Sequence, residues 1–155
     1  MNNIEKLIEE HKQIDIFCIG TPNIKGDAVG PLVGTMLKLH TFEKDVQVLG
    51  TIESPINSFT YNTKLEQLRP GALVIAIDAA VGLNLWCYEI LQGSINPGSA
   101  LVKTVSPVGD ISIKAYTGTT VGEMLSADSW NVALLAYKIT YKLTDLLKVQ
   151  KRVYI

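Results

Sequence analysis

Apolar residues along this chain fall into two rhythms, and the two alternate. Short continuous apolar runs mark buried strands, and stretches repeating every three to four positions mark helices. Residues 2–12 read as a short amphipathic helix with Ile4, Leu7 and Ile8 on one face. Residues 14–20 are almost uniformly apolar and end in Gly20, the pattern of a strand covered on both faces as in a parallel sheet. Turn formers fill Thr21 to Gly26. From Ala28 to His40 an apolar stripe of Val29, Val33, Met36 and Leu37 predicts a helix, with Pro31 in the first turn where proline is tolerated. A second strand is expected over 46–52 and a weaker helix over 55–68, stopped by Arg69-Pro70-Gly71. The run 72–78 is the strongest strand in the chain. This succession implies a layered α/β fold around a mostly parallel sheet.

The second half is less regular. Strands are expected over 86–92, at 99–105 as a short edge element, and over 110–116, where apolar and polar residues alternate as in a half-exposed strand. Asn96-Pro97-Gly98 is a turn, and Thr117 to Gly122 reads as a small polar loop. The last helix is expected from about Ser129 to Val149. Trp130, Leu134, Tyr137, Tyr141 and Leu147 lie on its stripe, and Asp128 or Ser126 serves as cap.

Composition adds exclusions. At 155 residues, 47% hydrophobic and 19% charged, the chain suits one domain over 1–155 with a proper core. A net charge of −1 argues against a nucleic-acid partner. The basic residues Lys148, Lys151 and Arg152 suit a helix end. No apolar stretch reaches the ~20 residues that span a bilayer, and the N-terminus has no signal-peptide pattern, so a cytoplasmic protein with no membrane partner is expected. Cys18 and Cys87 both sit in apolar runs and read as buried, reduced thiols. His11 and His40 fall on predicted helices, away from the loops, as surface residues.

Ligands of open α/β sheets bind at the carboxyl ends of the strands. The loops expected there are 20–30, 78–82 and 117–123, and the first two carry Asp27 and Asp78. Each has an ordinary reading: Asp27 as a helix N-cap and Asp78 as a carboxylate capping the next turn. Together, at the ends of neighbouring strands, they could share a proton and activate water, or hold a divalent metal that polarises a carbonyl. The glycine-rich first loop has neither the dinucleotide nor the Walker spacing, and there is no G-x-S-x-G elbow. No Ser-His or Cys-His pair can be assembled.

The segments Ile16-Phe17-Cys18-Ile19-Gly20-Thr21, Gly26-Asp27 and Gly30-Pro31-Leu32-Val33-Gly34 resemble the sporulation protease family of spore-forming bacteria. The match continues with Ile77-Asp78-Ala79 and Gly82, Pro97-Gly98, and Val108-Gly109-Asp110-Ile111, spanning about 14–145. That family is related in fold to the germination protease and the hydrogenase maturation endopeptidases. The resemblance therefore implies a three-layer α-β-α sandwich and a peptidase acting on a spore or partner protein. It places catalysis on Asp27 and Asp78, with Asn23 and Thr119 as substrate-binding candidates. In the maturation enzymes two acidic residues and a histidine bind the directing metal. Here Thr119 stands in the histidine's place, and a hydroxyl is a poorer transition-metal ligand than imidazole. The resemblance thus implies either an aspartate pair working without a metal cofactor or a protease-like binding or regulatory module without turnover. Exposed helix faces permit a homodimer.

Overall fold

The computed structural model of the chain describes residues 2–97 and 105–150. Eleven elements follow in order: α1 (Asn3–Glu10), β1 (Gln13–Cys18), a 3-10 helix (Lys25–Ala28), α2 (Val29–Leu37), β2 (Asp45–Leu49), α3 (Tyr61–Leu65), β3 (Leu73–Val81), β4 (Tyr88–Gln92), β5 (Ile111–Gly118), α4 (Val121–Leu125) and α5 (Ser129–Leu147), counted among the described residues. The strands form one sheet in the order β2-β1-β3-β5-β4. All neighbours are parallel except β4, which runs antiparallel to β5 at the edge. The expected α/β fold with a mostly parallel sheet is what forms.

Side chains alternate across a strand, so each strand feeds two cores. On one face Ile14, Ile16, Ile75, Ile77 and Ile113 pack against Val29, Val33 and Leu37 of α2 and Leu135, Ile139 and Leu143 of α5. On the other, Phe17, Ile19, Leu49 and Ala76 meet Ile56, Tyr61, Ile95 and Val108. This second cover is thin, consisting of the short α3 and loops. Phe17 and Tyr61 meet edge to face at 5.7 Å. At the amino ends of the strands the buried Asp15 accepts from the Arg69 Nε and backbone N–H, both at 2.7 Å. Arg69 also pairs with Asp45 at 2.8 Å, tying β1, β2 and the approach to β3 together.

Helix α2 lies on the sheet through its backbone. A methyl group at Gly30 would come within 2.1 Å of the Ile19 carbonyl oxygen, and one at Gly34 within 1.8 Å of the Gly50 carbonyl oxygen. Residues four apart share a helix face, so this pair forms the seat of α2 on the ends of β1 and β2.

Several expectations differ in detail. The helix foreseen over 55–68 shrinks to Tyr61–Leu65. Ile56 instead bridges Ile19 in parallel, and the Asn57 side chain accepts from the N–H groups of Phe59 and Thr60, a local turn that competes with helix. The polar loop 117–122 runs into α4, whose start is capped by Thr120 accepting from Glu123 N–H. Cys18 is buried, but Cys87 is exposed just ahead of β4, because the apolar run there begins outside the sheet. Trp130, Leu134, Tyr137 and Tyr141 face solvent, since the buried face of α5 is made by Val132, Leu135, Ala136, Ile139, Leu143 and Leu147. The strand expected at 99–105, apart from Val105, and Gly98, Lys151 and Arg152 lie outside the described residues. Among the described residues no helix is long and apolar enough to cross a membrane.

The glycine seat makes a clear prediction. Gly34→Ala should cost about 3 kcal/mol by forcing backbone apart, lowering the melting temperature by roughly 6–12 °C. Gly71→Ala, at φ +80° with open space around it, should cost only about 1 kcal/mol. Equal melting temperatures for the two variants would refute backbone contact at α2.

Candidate functional site

The carboxyl end of β1 is shaped by one turn. Ile19 N–H donates to Ile77 at 2.8 Å and Gly20 N–H to Ile56 at 3.0 Å, so the chain stays in the sheet until Gly20. Gly20 then adopts φ +148°, and a methyl group there would lie 2.1 Å from the Asp27 carbonyl oxygen. The loop folds back on itself around this glycine. Its closing bond runs from Thr21 N–H to the Asp27 carboxylate at 2.7 Å.

Asp27 therefore does not cap α2. The residue in that position is Ala28, with no side-chain cap bond, because the 3-10 helix feeds directly into α2. The far side of the loop is clamped by β5 and α4. Thr117 Oγ1 donates to the Gly26 carbonyl at 2.9 Å in a buried contact, and a methyl group at Gly26 would meet the Met124 carbonyl oxygen at 2.2 Å. Thr117, expected as a turn former, instead positions the aspartate loop.

Asp78 is only 7% exposed and lies on β3, on the face shared with Ala76. Its register partner on β5 is Lys114, so the two side chains leave the same face of neighbouring strands. Tyr61, buried above this face, donates its hydroxyl to the Ser106 carbonyl at 2.5 Å. Burial, and then the negative charge of Asp78, push the Tyr61 hydroxyl up to about 12.

Asp27 and Asp78 line one cavity of about 540 Å³, together with Thr21, Asn57, Tyr61 and Lys114 and an apolar wall that includes Ile19, Ile56 and Ile95. Burial raises the Asp27 carboxyl to about 6, against the opposing pull of its bonds to Thr21. An acid and a cation thus flank a partly desolvated space, where fixed charges act more strongly than in water.

The other two candidates lie elsewhere. Asn23 is exposed in the loop and is not among the described lining residues. Thr119 is also exposed and outside that lining. Its N–H and hydroxyl both donate to Glu123, at 2.8 and 2.6 Å, and hold that carboxyl below its usual range. Tyr61, Lys114 and Asn57 had no sequence signal. Lys114 sits at a polar position of an alternating strand, which reads as a solvent face, and only the pairing with β3 puts it on the face of Asp78.

A metal-directing site of the maturation type needs a third ligand. Among the described residues no group of three or more His, Cys, Asp or Glu side chains converges. The described lining offers two carboxylates and no imidazole, a donor set that does not fit a nickel-type site.

The profile of the family described as "Protein of unknown function (DUF1256)" matches residues 1–125. The chain belongs to this family. Over 107 residues it is 34% identical to "Uncharacterized protein YyaC" of Bacillus subtilis (strain 168), covering 66% of this chain and 52% of that protein. The chain therefore spans about half the length of this curated relative. Among solved structures it is similar to the [NiFe] hydrogenase maturation protease HycI from Thermococcus kodakarensis KOD1, with a TM-score of 0.67 and 21% identity over 95% of this chain and 99% of that one. At that identity the likeness shows the fold. A second structure, of an uncharacterized protein from Wolinella succinogenes, gives a TM-score of 0.48 and 14% identity over 88% of this chain and 96% of that one.

The raised Asp27 carboxyl has a signed consequence for this member of the family. Its ordinary value is 3.8, so the folded protein holds the proton over the range from there to about 6. Asp27 then contributes stability fully below about pH 4 and loses it as pH rises through 6. Asp27→Asn removes the charge but keeps an acceptor for Thr21. In urea unfolding at a series of pH values, the variant should gain on the wild type between about pH 4 and 7, by no more than about 3 kcal/mol. Parallel stability curves would contradict the burial of this carboxyl.

Proposed function

We propose that the chain is a peptidase that cleaves a protein substrate, with Asp27 and Asp78 as an acid/base pair around a water molecule and no metal cofactor. What supports this reading is the shared cavity: two aspartates from separate segments line one space at the carboxyl end of the sheet. Asp27, with its carboxyl raised to about 6, holds a proton for part of the time near neutrality and suits the general acid. Asp78, one strand away, suits the base. Asp78 takes a proton from water as the water oxygen bonds to the scissile carbonyl carbon. Asp27 then gives its proton to the departing amine nitrogen as the C–N bond breaks. Lys114 supplies positive charge toward the developing oxyanion. The likeness in fold to a protein named as a maturation protease supports a protein substrate. A role in sporulation, on a spore or partner protein, follows from the motif resemblance.

One observation favours a second reading, a module that binds a protein without cleaving it. Thr119, at the position where the resemblance expects a metal-binding histidine, is committed to Glu123.

A single assay separates the two. Purified chain is incubated with unfolded protein substrates and with EDTA across roughly pH 5 to 8, and new N-termini are read by mass spectrometry. Cleavage should survive EDTA and weaken as Asp27 ionises. Asp78→Asn should reduce it by about 100-fold or more with the melting temperature retained. Full activity in Asp78→Asn would sink the peptidase. Stable capture of a partner with no new termini would establish the module.

A further inference from the structure

Strand β3 outlasts one of its two neighbours. Its pairing with β1 ends at Ile77 opposite Cys18, whereas its pairing with β5 continues to Val81 opposite Gly118. Ala79, Ala80 and Val81 therefore run on beyond β1 with β5 alone beside them, among the described residues.

The backbone groups of successive strand residues point alternately to the two edges. The Ile77 carbonyl accepts from Ile19 N–H at 2.8 Å, so Ile77 points toward β1. Ala79, two residues on, points the same way. In a regular parallel ladder its N–H would donate next to the Ile19 carbonyl, and among the described residues that bond is not formed. The chain turns away at Gly20, whose N–H donates to Ile56, and the Ile19 carbonyl lies against Gly30. Ala79 thus presents a donor and an acceptor that no described backbone takes up on that edge.

This edge opens on the candidate site. Ala79, Ala80 and Val81 are half-buried and line the cavity that Asp27 and Asp78 share. Backbone groups withdrawn from water call for partners, and an open strand edge is a template for another strand. A helix uses its own N–H and C=O groups internally and has few to offer, whereas an extended chain offers both. Neighbouring strands stand about 5 Å apart, so a peptide group paired at Ala79 lies beside Asp78, the preceding residue of β3. Every second side chain of such a strand leaves on the Asp78 face. There it continues the row of Phe17 and Ile19 and meets the apolar wall of Ile56 and Ile95.

We propose that a protein substrate binds by strand addition: an extended stretch of polypeptide pairs with the Ala79 N–H and C=O at the open edge of β3 and sets alternate side chains against Ile56 and Ile95. This rests on the cavity being a site for a protein substrate, and it holds whether or not the bound chain is cut. The site then selects an unfolded chain or a loose tail over a folded or helical segment.

Amide hydrogen exchange followed by nuclear magnetic resonance tests it. The full chain carrying Asp78→Asn, so that the probe is not consumed, is mixed with about 1 mM reduced and carboxymethylated α-lactalbumin, a permanently unfolded protein. The Ala79 amide should exchange readily in the chain alone and about five-fold more slowly with the probe. The Ala80 amide, which faces β5, should not change. Ala79→Pro removes the donor at an edge where proline is tolerated and should weaken probe binding by about 10-fold with the melting temperature retained. Ala79→Gly keeps both backbone groups and should bind within about two-fold of the parent. Protection of Ala79 by the probe with no cleavage by the wild type would support strand addition and end the peptidase reading. Cleavage by the wild type with Ala79 exchange unaffected by the probe would overturn strand addition and leave the peptidase standing. Strand addition would also be overturned by an Ala79 amide already protected in the chain alone, or by full binding in Ala79→Pro.

Discussion

The candidate site depends on backbone lying directly on backbone. Gly30 and Gly34 let α2 sit against the carbonyl groups of Ile19 and Gly50, closer than any side chain would permit. Because α2 starts where the 3-10 helix ends, that seat also sets the height of Asp27 above the sheet. Gly20 completes the arrangement by letting the loop turn back under Asp27. A helix held by ordinary side-chain packing would ride several ångströms further out, and its first turn would not overhang the strand ends.

Two aspartates, Asp15 buried and Asp27 half-buried, show how one residue type serves opposite ends of a sheet. Asp15, at the amino ends of the strands, has its oxygens taken by the guanidinium and N–H of Arg69. Burial there is compensated, and the group works as a rivet. Asp27, at the carboxyl ends, receives a backbone N–H from Thr21, and burial still raises its carboxyl to about 6. A carboxyl that changes protonation near neutrality is suited to moving protons. The sheet is thus closed at one end by charge pairing and left chemically responsive at the other.

Much of the fold was legible along the chain, for a physical reason. Strands β1 and β3 are covered on both faces, so their runs are uniformly apolar and stand out. Pro31 marked the first turn of α2, and of the two cap candidates, Asp128 and Ser126, it is Asp128 that caps α5. Reading failed where a local hydrogen bond outcompeted the periodic pattern, as when Asn57 diverted the start of α3. It also failed for α5, which is apolar on two faces. The exposed aromatic row and the buried aliphatic row both repeat at helical spacing, and only contact with the sheet reveals which one is inside.

The sequence by itself determined the alternation of strands and helices, the mostly parallel sheet and the two aspartates at strand ends. These follow from neighbours in the chain, through periodicity and turn chemistry. Tertiary structure alone decided that Asp27 folds back to Thr21 instead of capping α2. It alone brought Lys114 into register with Asp78, set Tyr61 over the cavity and left Thr119 bound to Glu123 outside its described lining. Strand order and register join residues dozens of positions apart, and no local pattern records them. What a single chain records is where each carboxyl enters the fold. What surrounds it once folded, and hence what it can do, is written in the pairing of distant strands.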